Sequence, residues 1–64
     1  MSMIHMSQEE RLSIILNYLK THKEMSIQTI CHQLSISRTI ARSDIWKLLE
    51  QKQIVVNKNH IHIL

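Results

Sequence analysis

The chain has 64 residues, a formal net charge of +3, one cysteine, and neither glycine nor proline. That length holds one small domain, which buries only about 60% of the surface its unfolded chain exposes and leaves no room for a deep substrate pocket. A lone cysteine excludes an internal disulfide and a cysteine-built zinc site, and the apolar runs are too short to span a membrane.

Residues 1–6 show neither a cap nor a period, and a mobile N-terminal arm is expected there. They lack the basic and apolar regions of a signal peptide, so a cytoplasmic protein is expected. The folded domain is placed at residues 7–64. Ser7 with Glu10 three residues on is a capping box. It opens a first helix predicted over residues 8–21, with Leu12, Ile15, Leu16 and Leu19 as its apolar stripe. Tyr18 falls at the edge of that stripe. Arg11 is expected to make a surface ion pair with a neighbouring glutamate. Met25, Ser26 and Ile27 then read as a very short strand, with Ser26 doubling as the cap of a second helix.

Ile27, Ile30, Cys31 and Leu34 follow an i, i+3, i+4, i+7 spacing and define one face of that second helix. Cys31 is expected to be a small buried hydrophobe. Residues 35–37 interrupt the pattern, and Ser37 can cap a third helix ending near Gln51. Its apolar positions are Ile40, Ala41, Ile45, Leu48 and Leu49. Arg38, Thr39, Arg42, Ser43, Trp46 and Lys47 lie on the opposite side. A short helix, a tight turn and a helix with a basic polar face have the form of a helix-turn-helix. The core is expected from Leu12, Ile15, Leu16, Leu19, Ile30, Leu34, Ile40, Ile45 and Leu48.

Ile54, Val55 and Val56 form a β-branched run, and Ile61, Ile63 and Leu64 follow a polar stretch from Asn57 to His60. Asparagine tolerates positive φ, so this stretch reads as the turn of a hairpin. The predicted fold is mainly α with a small β-hairpin: three helices and a wing. Without glycine, the left-handed positions at helix ends fall to Lys, Gln or Asn, at roughly 1 kcal/mol each.

The charge is unevenly placed. Up to residue 37, Arg11, Lys20 and Lys23 cancel Glu9, Glu10 and Glu24. Beyond it, Arg38, Arg42, Lys47, Lys52 and Lys58 face only Asp44 and Glu50. The net charge therefore lies on the third helix and the wing, where a basic face attracts phosphates.

On these residues the chain resembles the DNA-binding domain of DeoR-type bacterial repressors, a winged helix-turn-helix. The family pattern, roughly L-A-x-x-L-x-V-S-x-x-T-I-R-R-D-L-x-x-L-E, falls without a gap on Ile30, Cys31, Leu34, Ile36, Ser37, Ile40, Ala41, Arg42, Ser43, Asp44, Ile45 and Leu48. Ile40 and Ser43 replace the usual Thr and second Arg, and Leu49 stands where the family has Glu. The glycines usual near Lys23, near Lys52 and after the wing are missing. The resemblance implies a transcriptional regulator of bacterial or phage origin whose third helix enters the major groove of double-stranded DNA. Arg38, Thr39, Arg42 and Ser43 would then face bases, and Ser26, Thr29, Lys47 and Lys58 would hold phosphates. The alternative is a winged-helix protein–protein interaction module.

Other chemistry finds little support. His60 and His62 share a strand face, but two ligands do not make a metal site; they are expected to be exposed and, when protonated, to add charge beside Lys58. Asp44 and Glu50 do not form a catalytic pair, and no phosphate loop is possible without glycine. No enzyme activity, metal, cofactor, small-molecule ligand or membrane partner is expected within this chain. Trp46 is expected to be exposed. A homodimer is expected, with Trp46, Ile4 and Met6 as its candidate interface.

Overall fold

The computed structural model describes residues 6–64. The chain forms α1 (Gln8–His22), β1 (Glu24–Met25), α2 (Ile27–Leu34), α3 (Arg38–Glu50), β2 (Ile54–Asn57) and β3 (His60–Ile63). The expected three helices and wing are present, and β1 adds a third strand to the hairpin.

Each helix begins on the serine that the sequence marks. Ser7 Oγ accepts from the Glu10 amide at 3.1 Å, and the Ser7 amide donates to Glu10 Oε1 at 2.8 Å, so the capping box is complete. Ser26 Oγ accepts from the Thr29 amide and Ser37 Oγ from the Ile40 amide. These bonds satisfy amides that the first helical turn leaves without partners.

The helix ends carry the cost of a chain without glycine. Lys23, Ser35 and Lys52 at helix ends, and Lys58 in the wing turn, take positive φ. Lysine was expected among them; serine was not, and no asparagine or glutamine does so. The α3 terminus shows why Lys52 must bend. Its amide donates to the Leu49 carbonyl and the Gln53 amide to the Leu48 carbonyl, both at 3.0 Å. This is the Schellman closure, which requires a left-handed residue at the position of Lys52. At the α2 terminus Ser35 is left-handed, and the Ile36 amide returns to the Cys31 carbonyl. Three residues thus suffice between α2 and α3, because Ser35 turns the chain, Ile36 packs on the core and Ser37 starts the next helix.

The sheet runs antiparallel in the order β1-β3-β2. Met25 pairs with Ile61, Ile54 with Ile63, and Val56 with Ile61, so these side chains share the face toward the helices. Glu24 and Val55 both pair with His62, and Asn57 with His60, placing these residues on the other face. The turn has two residues, Lys58 and Asn59. The positive φ sits on Lys58 rather than on an asparagine.

The core comprises Leu12, Ile15, Leu19, Met25, Ile30, Ala41, Ile45, Leu48, Ile54 and Ile61. Leu16, Leu34 and Cys31 pack against it half-buried. Ile40 departs from expectation and is 40% exposed. The buried arc of α3 is Ala41, Asp44, Ile45 and Leu48, an i, i+3, i+4, i+7 set. Ile40 precedes that set and faces outward.

Asp44 is the second departure. It is fully buried in the same arc and accepts three side-chain hydrogen bonds. Arg11 Nε donates to Oδ2 at 2.7 Å, Arg11 Nη2 to Oδ1 at 3.1 Å, and Gln8 Nε2 to Oδ1 at 3.2 Å. Arg11 Nη1 also donates to the Met6 carbonyl. Arg11 therefore pairs with Asp44 on α3, not with a neighbouring glutamate. The Asp44 hydrogen bond raises the guanidinium above its ordinary pKa, against the opposing effect of burial. This pairing ties α1 to the middle of α3 and fixes where the outward face of α3 points.

Candidate nucleic-acid interface

With Ala41, Asp44, Ile45 and Leu48 turned inward, α3 presents Thr39, Arg42, Ser43, Trp46, Lys47 and Glu50 to solvent. Arg38, its first residue, is exposed as well. The four residues expected to face bases, Arg38, Thr39, Arg42 and Ser43, thus occupy the first two turns of one accessible helix face. All five cations after residue 37 are exposed, whereas Asp44 is buried against Arg11. Glu50 is left as the exposed side-chain carboxylate of α3, so the surface of that helix is more positive than its own sequence balance implies.

A groove of about 160 Å³ runs between the start of α2, the start of α3 and the wing tip. Ser26, Ile27, Gln28, Arg38, Arg42 and Asn59 line it. Ser26 is thereby brought beside the two arginines. Ser26 Oγ lies 3.0 Å from Thr29 Oγ1, so the two hydroxyls form one polar corner at the α2 N-terminus, where the helix dipole favours an anion. A neighbouring depression is lined by Ser26, Gln28, Thr29 and His32. Sequence reasoning did not single out Gln28, His32 or Asn59 for these surfaces. Gln28 and His32 stand one turn apart on α2, opposite its apolar stripe, and that spacing was the available signal.

Lys47 and Lys58 are exposed but do not line the α3 groove. Lys58 lines a separate depression on the wing with Glu24, Asn57, His60 and His62. His60 is exposed, as expected, and His62 is half-buried, but both meet a carboxylate from another strand. His60 Nδ1 lies 3.1 Å from Glu24 Oε2, and His62 Nε2 lies 3.7 Å from Glu24 Oε1. Charge gained by these rings on protonation is therefore offset by a carboxylate from β1. Among the described residues, no group of three or more His, Cys, Asp or Glu is placed to hold a metal ion, and no helix is long and apolar enough to cross a membrane.

Of the expected dimer-interface residues, Trp46 is 63% exposed on the outward face of α3. Met6 is half-buried, with its carbonyl engaged by Arg11. Ile4 lies outside the described residues.

Residues 11–60, which hold the Arg11–Asp44 pair, α3 and most of the wing, match a known family, the DeoR-like helix-turn-helix domain. The chain belongs to that family. Over 50 residues it is 48% identical to the HTH-type transcriptional repressor GlcR of Bacillus subtilis (strain 168). The match covers 78% of this chain and 19% of that repressor, so the chain spans a small part of its relative's length. No solved structure gave a significant match. The domain is a DNA-binding domain of transcriptional regulators, which is not an enzyme class.

Proposed function

We propose that this domain reads specific DNA sequences for a bacterial or phage repressor, acting in the cytoplasm, with α3 in the major groove. The observation that carries this reading is the outward face of α3, where Arg38, Thr39, Arg42 and Ser43 are exposed together while Asp44, one of the helix's two carboxylates, is withdrawn into the core. Arg42 is the principal base reader, since an arginine fork matches guanine O6 and N7. Arg38, Thr39 and Ser43 read neighbouring positions. Ser26 and Thr29 hold one phosphate at the α2 N-terminus, Lys47 a second, and Lys58 at the wing tip a third.

The working unit is a homodimer on two half-sites. One module of this size buries roughly 600–1,000 Å² on DNA, the low end for specific recognition, and rarely suffices alone against a genome of competing sites. Two copies on a repeated half-site supply the rest.

Titration of the chain with random duplex DNA at several salt concentrations tests the reading. Counterion release by several phosphate contacts predicts a log–log slope of about −0.9 per contact. A flat or absent response would instead favour the winged-helix protein–protein module.

A further inference from the structure

Trp46 is the protein's one tryptophan, and packing does not account for it. It follows Ser43 by three residues and Arg42 by four, so it continues their ridge along α3, away from the buried arc. Thr39, seven residues before it, begins the same ridge. An indole placed here stands in water in the free protein, which is unfavourable for so large an apolar surface.

We infer that Trp46 is a DNA-contact residue whose indole packs on apolar carbon surface in the major groove. The C5-methyl group of thymine is the base-borne source of such surface, and deoxyribose the backbone-borne one. The inference rests on the reading that α3 enters the groove. Trp46 lies about 6 Å along the helix from Arg42, on the order of two base-pair steps. Its contact therefore falls beside the Arg42 contact and adds an apolar preference to a polar one. Apolar side chains discriminate thymine through its methyl group.

The neighbours of Trp46 argue against a contact between copies at this point. Arg42 is four residues before it and Lys47 one after, and Glu50 follows four after it on the same helix. A symmetric interface with the two α3 helices parallel would set Arg42 against Arg42 and Lys47 against Lys47, and like charges across an interface are unfavourable; an antiparallel one would pair Arg42 with Glu50 of the other copy and leave Lys47 unmatched. The same cations favour a polyanion.

Tryptophan emission and acrylamide quenching of the full chain, with and without duplex DNA carrying its selected site, test this directly. Emission is expected to change in step with binding, and quenching to fall. Trp46→Ala is expected to keep the helical signal and to weaken binding to the selected site about tenfold. Replacing single thymines by deoxyuridine then separates the two sources. A replacement that weakens the parent but not Trp46→Ala identifies the methyl group; a Trp46→Ala loss that no replacement reproduces identifies deoxyribose. DNA binding with unchanged emission, and a Trp46→Ala variant that binds like the parent, would overturn the inference while leaving α3 as the reader. Emission that changes with protein concentration in the absence of DNA would overturn it in favour of a subunit contact. A parent that does not bind DNA would end both readings.

Discussion

Removing Asp44 should be among the most damaging single changes in this domain, although the side chain lost is polar. The carboxylate is fully buried and accepts from Arg11 Nε, Arg11 Nη2 and Gln8 Nε2. Asp44→Ala leaves the Arg11 guanidinium partly buried without its counter-ion. Breaking a buried pair from one side costs about 3–5 kcal/mol. The Arg11 side chain is 17% exposed and can turn toward water, which points to the lower end, about 3 kcal/mol. A domain of this length has about 3–10 kcal/mol of stability in total. Asp44→Asn should not rescue it, because an amide group would face the Arg11 donors with one acceptor too few. Removing both charges in Arg11→Met with Asp44→Leu should recover most of the loss, since an apolar pair of similar volume carries no desolvation penalty. Urea unfolding followed by circular dichroism is the assay; Trp46 is too exposed to report on packing. An Asp44→Ala midpoint equal to the parent's, or single losses that simply add in the double variant, would refute the buried pair as a coupled unit.

Other expectations concern packing, backbone and charge. Leu48→Ala should cost about 2–5 kcal/mol, whereas Ile40→Ala should change stability little; equal losses in urea unfolding would contradict the inward arc of α3. Lys52→Gly should stabilise the chain by up to about 1 kcal/mol, because the Schellman closure of α3 holds a lysine at positive φ; a lower unfolding midpoint would count against that strain. Lys58→Ala should weaken binding to all duplexes alike and reduce the salt slope by about one; a sequence-dependent loss would make the wing tip a base reader.

Much of this fold is legible in the sequence because local chemistry and global fold agree. Ser7, Ser26 and Ser37 each precede an apolar period and each caps a helix. The wing follows from a β-branched run, a polar turn and a second alternating run. What escapes notice depends on contacts between elements. Asp44 reads as a polar surface residue unless it is placed between Ala41 and Leu48, at i+3 from one and i−4 from the other. That spacing puts a carboxylate inside a buried arc, where it must have a basic partner. Arg11 is 33 positions away and becomes that partner only when α1 packs on α3. Ile40 misleads in the opposite sense, because an apolar residue beside an apolar stripe reads as core although the arc begins at Ala41. Glu24 likewise meets His60 and His62 only through the pairing of β1 with β3. For the interface, the basic outward face of α3 is legible from spacing, whereas the groove that joins Ser26 to Arg38, Arg42 and Asn59 needs the packing of α2, α3 and the wing.

Selection of binding sites from random duplex DNA, run in parallel with the parent and with Arg42→Ala, shows whether α3 reads bases. If α3 reads bases, the parent enriches a defined motif that contains guanine. Arg42→Ala then loses the guanine preference at one position, with a cost of about 1–3 kcal/mol on the parent's site and little change on random DNA. A variant that enriches the same motif at every position, only more weakly, would contradict base reading by Arg42 and reduce α3 to a phosphate-binding helix.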